Sequence, residues 1–213
     1  MNKPLIMIGA GGHASVLADI LTRQGRTLIA LVAPDASGSG ALGGLPRWEE
    51  KTLSARARPE SCLLVNGIGF MPGNDLRARI FSRYTREGYR FASVLANEAS
   101  VSPHARLGQG VQIMQGAIVQ SGAHIGDNVI VNTGAIVEHD CAVGEHCHLA
   151  PRAVLCGSVS LGTQVFVGCA AAVIQGISVG NDAVVGAGAT VTRPVPERHI
   201  VYPARACFTT PKN

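Results

Sequence analysis

A small α/β domain followed by a parallel β-helix is the fold this 213-residue sequence predicts. Two observations predict it. From Val101 to Val191 every sixth residue is Val, Leu or Ile, without exception over sixteen positions. Four residues after each comes a mostly small or β-branched residue, such as Ala105, Val111, Ala117 and Cys141. A six-residue period of this kind is one short strand plus a turn, stacked coil on coil at about 4.8 Å. Before residue 95 the period is different. Short apolar runs alternate with helical stretches, which is the pattern of a parallel sheet with crossover helices.

The elements follow in order. LIMIG (5–9) is an apolar strand and GAGGHA (9–14) a glycine turn. SVLADILTRQG (15–25) reads as a helix, with Val16, Ile20 and Leu21 on one face and Gly25 as its stop. TLIALVAPD (27–35) is a second strand, and residues 36–47 are a Gly/Ser/Pro-rich loop. CLLVNGIG (62–69) is a third strand, and NDLRARIFSRYTREG (74–88) an amphipathic helix ending at Gly88. The expected domains are 1–97 and 98–213.

Composition excludes several classes. Hydrophobic residues are 46% and charged residues 15%, so the chain is globular and not disordered. Aromatics are only 4%, against 26 glycines, so the core must be made of small aliphatic side chains on a tight backbone. The net charge is +4, but the Lys and Arg are scattered, which fits small anionic ligands and no nucleic acid. No run of about 18 apolar residues exists to span a membrane. The six cysteines (62, 141, 147, 156, 169 and 207) form no CxxC pair and are expected to be reduced, buried and structural.

The glycine turn matches G-x-G-x-x-G/A through Gly9, Gly11 and Ala14. It follows a strand, opens a helix, and Asp35 ends the next strand about twenty residues on, as a nucleotide-binding turn requires. Gly9 makes the turn, and Gly11 lets backbone N–H groups approach a phosphate at the helix N-terminus. Ninety-five residues hold only half of a dinucleotide domain, so one nucleotide fits better than NAD. A turn that merely needs glycine stays open as the bland alternative.

VEHDCAVGEHCH (137–148) is the second chemical signal. A metal site from His139, Asp140, His146 and His148 is disfavoured, because these fall at hexad positions that point apart. His104, His124, His146 and His199 read as exposed turn residues without a role. His139 differs. The adjacent Asp140 carboxylate can orient its ring and raise its basicity, as a general base requires. Gly157 lies eighteen residues on, one coil away, where its N–H can hold a developing oxyanion.

The strand–GAGGH–helix start, the block NTGAIVEHDCAVGEHCHLAPRAVLCGSVSLG (132–162), and VGAGATVTRPVP and VYPAR near the end resemble the sialic-acid O-acetyltransferase-like family of hexapeptide-repeat acyltransferases. Within that family the chain looks most similar to bacterial N-acetyltransferases of nucleotide-linked 4-amino-4,6-dideoxy sugars, of the perosamine and bacillosamine type. The resemblance spans nearly the whole chain. It implies a left-handed β-helix and a homotrimer with active sites between subunits. It also implies acetyl-CoA as co-substrate and a bacterial cytoplasmic setting. His139 is then the base, Asp140 stands where Glu often sits, and His148 and Gly157 lie near the thioester. Cys169 and Ala187 fall along CoA. Gly12, His13 and Ala14 lie against the phosphates, and Pro34, Asp35, Asn66 and Gly67 near the base and ribose. The activity implied is direct acetyl transfer to the sugar 4-amine. Sugar O-acetylation, and a non-catalytic nucleotide-binding scaffold, are the alternatives.

Overall fold

The computed structural model describes residues 3–34 and 40–203; Asp35 and Cys207 lie outside them. Strand β1 (Leu5–Ile8), helix α1 (Gly12–Arg23) and strand β2 (Leu28–Val32) form the first crossover unit. Strand β3 (Arg47–Trp48), the short helix α2 (Leu53–Arg56), strand β4 (Leu63–Asn66) and helix α3 (Leu76–Arg86) complete the domain. The sheet is parallel, with order β3-β2-β1-β4. Helix α1 starts at Gly12, ahead of the expected Ser15, because the glycine turn itself supplies the first helical residues.

Residues 90–92 extend this sheet through a bridge from Leu64 to Phe91, and the chain runs directly into the coils. Stacking begins at Val94–Leu95, ahead of the expected junction at 97/98. Eighteen two-residue strands then build three parallel sheets, so the coil is a triangular prism. Face I runs from Val94–Leu95 to Ile200–Val201, face II from Ser100–Val101 to Thr190–Val191, and face III from Arg106–Leu107 to Ser178–Val179. Partners along each face are eighteen residues apart, as in His148 and Phe166. After Val191 the period breaks, and Ile200 pairs with Val184, only sixteen residues back.

Every corner from residue 110 to residue 188 holds its second residue at positive φ, between 54° and 76°. Six are glycines, but Asn128, Asp140, His146, Arg152, Ser158, Gln164, Ala170 and Asp182 take the same left-handed conformation. Asn and Asp tolerate it best. The inward Val/Leu/Ile column and the small residues at the corners close one dry core along the prism axis. Cys141 and Cys147 belong to it. Their thiols point to the corner carbonyls of Cys156 (3.1 Å) and Gly162 (3.0 Å). Burial raises the Cys141 pKa and pushes Cys147 up to about 12, so neither is a thiolate at neutral pH. Two expectations fail here: Cys156 is only half-buried and Cys169 is exposed, since both sit at outward corner positions.

The α/β domain lies on face I. A second apolar core joins α1 and β1 to Val94, Ala96, Met114 and Ile130. Beside it runs a buried polar chain. His13 Nε2–H donates to Gln112 Oε1 (2.7 Å), and Gln112 Nε2 donates to the Asn66 carbonyl (2.8 Å). Arg77 donates to the carbonyls of Asn66 (2.9 Å), Ile68 (2.6 Å) and Asn128 (3.2 Å). Asn66 Nδ2 reaches Asn128 Oδ1 (3.0 Å), and Asn128 Nδ2 donates to His146 Nδ1 (3.0 Å). Arg77 is 2% exposed and burial lowers its pKa to about 9. Its guanidinium serves three carbonyls at once, which no neutral side chain can do. Arg77→Met should therefore cost at least about 2 kcal/mol, read as a lower urea midpoint.

Candidate active site

His139 and Asp140 occupy the edge between faces II and III, in the turn joining Ile136–Val137 to Ala142–Val143. The corner geometry makes the pair. Asp140 is the left-handed residue (φ 59°), and this turns its carboxylate back so that Oδ2 lies 2.9 Å from His139 Nδ1. Nδ1–H donates to the carboxylate, and Nε2 is left as the free basic nitrogen. Two glycines frame the pair. A Cβ on Gly157, in the next coil, would lie 2.5 Å from His139 Nε2. A Cβ on Gly122, in the previous coil, would lie 2.3 Å from Asp140 Oδ1. The coils are tied at this point, for Ser158 N–H donates to the His139 carbonyl (2.9 Å). In the single chain the pair is open, with side chains 62% and 66% exposed.

His148 is elsewhere. It stands on face I, beneath the loop after β4, in edge contact with Phe70 (5.9 Å) and Phe166 (5.3 Å). Asn132 Nδ2 donates to its Nε2 (3.1 Å), which places the ring hydrogen on Nδ1. That Nδ1 is buried beside the Phe70 backbone, the one neighbour that acts to raise the pKa of this ring. Burial, then the nearby His13 and Arg77, lower the His148 pKa to about 3. Burial and Arg77 lower His13 to about 4, against its bond to Gln112. Both rings stay neutral in the folded protein, whereas unfolded histidine titrates near 6.5. The unfolded chain thus binds more protons below pH 6.5, and stability should fall from there down to about pH 4. Urea midpoints at pH 7.5 and pH 4.5 measure it; equal midpoints contradict it.

One chain brings together His139, Asp140 and Gly157, but not His148, which is on the opposite side of the prism. Cys169 and Ala187 are exposed and stack in one column on the edge between faces I and II. Together with the His139 edge they border face II. Its outward column, Ile118, Ile136, Val154 and Ala172, is apolar and half-buried. His146 corrects the sequence reading. It is not a free turn residue, since the α/β domain lands on its corner and Phe81 packs edge-on against it (5.6 Å). Burial lowers its pKa.

The nucleotide-type residues gather at the carboxyl ends of β1, β2 and β4. Gly9 (φ 98°) turns the chain over Gly67. A Cβ on Gly67 would meet Met7 Sδ at 2.7 Å and Ala14 at 2.8 Å, so only glycine fits. Gly11 and Gly12 are exposed at the start of α1, where no side chain caps the helix. Ala14 and Asn66 are enclosed and shape the floor. Pro34 and Gly9 line a cavity of about 920 Å³ between the strand ends, α2 and α3.

Residues 4–84 match the PglD N-terminal domain, and 104–137 and 122–157 match the bacterial transferase hexapeptide. No curated protein sequence matches the chain. Among solved structures, PerB from Caulobacter crescentus in complex with CoA and GDP-perosamine is 36% identical over 92% of each chain, with a TM-score of 0.84. The acetyltransferase domain of PglB from Neisseria gonorrhoeae in complex with acetyl coenzyme A is 30% identical. It covers 97% of this chain and 100% of its own, with a TM-score of 0.85. The chain belongs to the nucleotide-sugar amino N-acetyltransferase family. It has the α/β domain and left-handed β-helix of that family, and the family's members are acetyl-CoA-dependent enzymes. Two further Caulobacter structures, with the same ligands, carry alanine or asparagine in place of one histidine. Among the described residues no group of three or more His, Cys, Asp or Glu could hold a metal ion, and no helix is long and apolar enough to cross a membrane.

Proposed function

We propose that the protein transfers acetyl from acetyl-CoA to the 4-amino group of a nucleotide-linked 4-amino-4,6-dideoxy sugar, with His139 as general base. The observation that carries this is the His139–Asp140 pair at 2.9 Å with Gly157 stacked on its free nitrogen. The amine attacks the thioester carbonyl while His139 Nε2 takes its proton. The Gly157 N–H holds the tetrahedral oxyanion. The C–S bond then breaks, and the CoA thiolate recovers the proton from His139. No acyl-enzyme is required, and the high pKa of the buried Cys147 argues against a thiolate nucleophile there.

The site is shared between chains of a trimer. The α/β domain covers face I, while His139 stands on the opposite edge. A sugar held by one chain's α/β domain therefore meets the His139 of a neighbour. The apolar column on face II supports close packing of a second helix there, with CoA in the groove bordered by Gly157, Cys169 and Ala187. The nucleotide phosphates lie on the free N–H groups at Gly11–His13. This setting suits a cytoplasmic enzyme that prepares activated sugars.

Thiol release from acetyl-CoA, assayed with nucleotide-linked 4-amino sugars and with free sialic acid, tests the reaction. Turnover on sialic acid alone would move the enzyme to O-acetylation. Mixing tests the shared site. His139→Asn protein and protein disabled in the α/β domain (Gly67→Leu) should each be nearly inactive, yet regain activity when unfolded and refolded together. Failure to complement, with mixed trimers formed, means that one chain holds a whole site.

A further inference from the structure

Under the α/β domain the outward column of face I is apolar at Val94 and Ile130, both fully buried. Between them, paired with both, stands Gln112, which is also 0% exposed. An aliphatic side chain would fill that place without the cost of desolvating an amide. The amide is fixed in one orientation. Its Nε2 donates to the Asn66 carbonyl (2.8 Å), a group that an amide oxygen cannot face. Arg77 Nη1 donates to the same carbonyl (2.9 Å), so the anchor is itself held. The atom 2.7 Å from His13 Nε2 is therefore Oε1, which only accepts. His13 must carry its proton on Nε2 and its lone pair on Nδ1. That Nδ1 makes no hydrogen bond among the described residues.

We infer that Gln112 is a positioning residue, which holds His13 as a neutral hydrogen-bond acceptor for a hydroxyl or amino group of the sugar. The inference rests on the nucleotide-sugar reading above and assigns the part of that ligand which the ring meets. A diphosphate oxygen is an acceptor at neutral pH, and a bare Nδ1 repels it. The first turn of α1 thus divides its work, since His13 is the second residue of that helix. Its backbone N–H faces the diphosphate, and its ring meets a donor next to it. The donor belongs to the sugar end and not to the ribose. The ring leans onto face I with α1 and β1, whereas Pro34, expected near the base and ribose, lines a cavity on the other side of the sheet. Without the Gln112 acceptor both tautomers become accessible, and Nδ1–H would then oppose the sugar's donor.

The tautomer is read without any ligand, from long-range 1H–15N spectra of the histidine-labelled protein, the His13 signal being the one lost in His13→Asn. It should show Nε2–H and a bare Nδ1, and a neutral ring with its proton on Nδ1 overturns the lock. Gln112→Met keeps the volume and leaves the Asn66 carbonyl on Arg77. Calorimetry of this variant uses GDP-perosamine with GDP, and UDP- and dTDP-linked 4-amino-4,6-dideoxyglucose with UDP and dTDP. The nucleotide sugar that the parent binds should weaken by about five- to tenfold, while its free diphosphate keeps its affinity. In turnover the same loss should appear in KM for the sugar with kcat nearly unchanged. An equal loss for the free diphosphate means that the ring serves the phosphates or ribose and overturns the sugar assignment. Unchanged affinity for both means that Gln112 only packs, and overturns its role. If the parent binds none of these ligands, the nucleotide-sugar reading falls and the sugar assignment with it, while the spectrum still decides the lock.

Discussion

Replacing His139 with asparagine should leave a folded protein whose kcat is lower by about 10²–10⁴-fold, the usual worth of a positioned general base. The fold should survive because the ring is 62% exposed and makes its one side-chain bond to the neighbouring Asp140. Asparagine keeps a polar group in the corner but has no nitrogen that can accept a proton near neutral pH. KM for the nucleotide sugar should change little, since in the proposed arrangement the α/β domain of the other chain would hold the phosphates and base. Asp140→Asn should cost less than His139→Asn. It preserves a hydrogen-bond acceptor toward Nδ1–H and the left-handed φ of 59°, which asparagine adopts readily. Stopped-time assays of CoA release on the purified proteins measure both. A His139→Asn rate within tenfold of the parent would mean that the amine loses its proton by another route, and that the Asp140 contact is only structural.

The β-helix was legible because its physics is one-dimensional. Each coil contacts only its neighbours, so a period of six in the sequence becomes a period of eighteen in space. The His139–Asp140–Gly157 cluster was legible for the same reason, since a spacing of eighteen places Gly157 on His139. What periodicity does not carry is the landing site of the α/β domain. His146 sits at the same kind of corner as Asp182, yet only His146 meets Phe81 and Asn128. His148 lies close in sequence to His139 but on a different side of the prism, so nearness in the sequence did not translate into a shared cluster. Arg77 read as one more charge in an amphipathic helix. A signal was present, because Arg77, Phe81 and Tyr84 are spaced along the single buried stripe of α3. A charge on that stripe had to find partners, and the carbonyls at the end of β4 are those partners. Strand β3 and helix α2 are too short to produce a pattern at all.

Gly157→Ala tests the oxyanion side of the site and should be nearly as damaging as loss of the base. The new methyl carbon would lie 2.5 Å from His139 Nε2 and 2.6 Å from Cε1, closer than carbon and nitrogen can approach. Backbone strain is not the cause, because Gly157 is not among the corner residues at positive φ. The ring must swing out, since it is the mobile partner, and the coil is held by the Ser158 to His139 backbone bond. Two effects then combine: Nε2 leaves the line of the amine, and the methyl group intrudes where the thioester carbonyl must approach the Gly157 N–H. The alanine keeps its N–H, but an oxyanion kept away from it by the methyl group loses a donor worth about 10²–10³ in kcat, so a drop of about that size is expected with an unchanged urea midpoint. The double variant separates the two effects. If Gly157 matters only by leaving room for His139, adding Gly157→Ala to His139→Asn should cost almost nothing further. If its N–H holds the oxyanion, the second substitution should still cost about tenfold or more in the already slow enzyme. The proposed mechanism requires the latter, and strict non-additivity would remove Gly157 from the chemistry and leave it as the space in which the histidine ring turns.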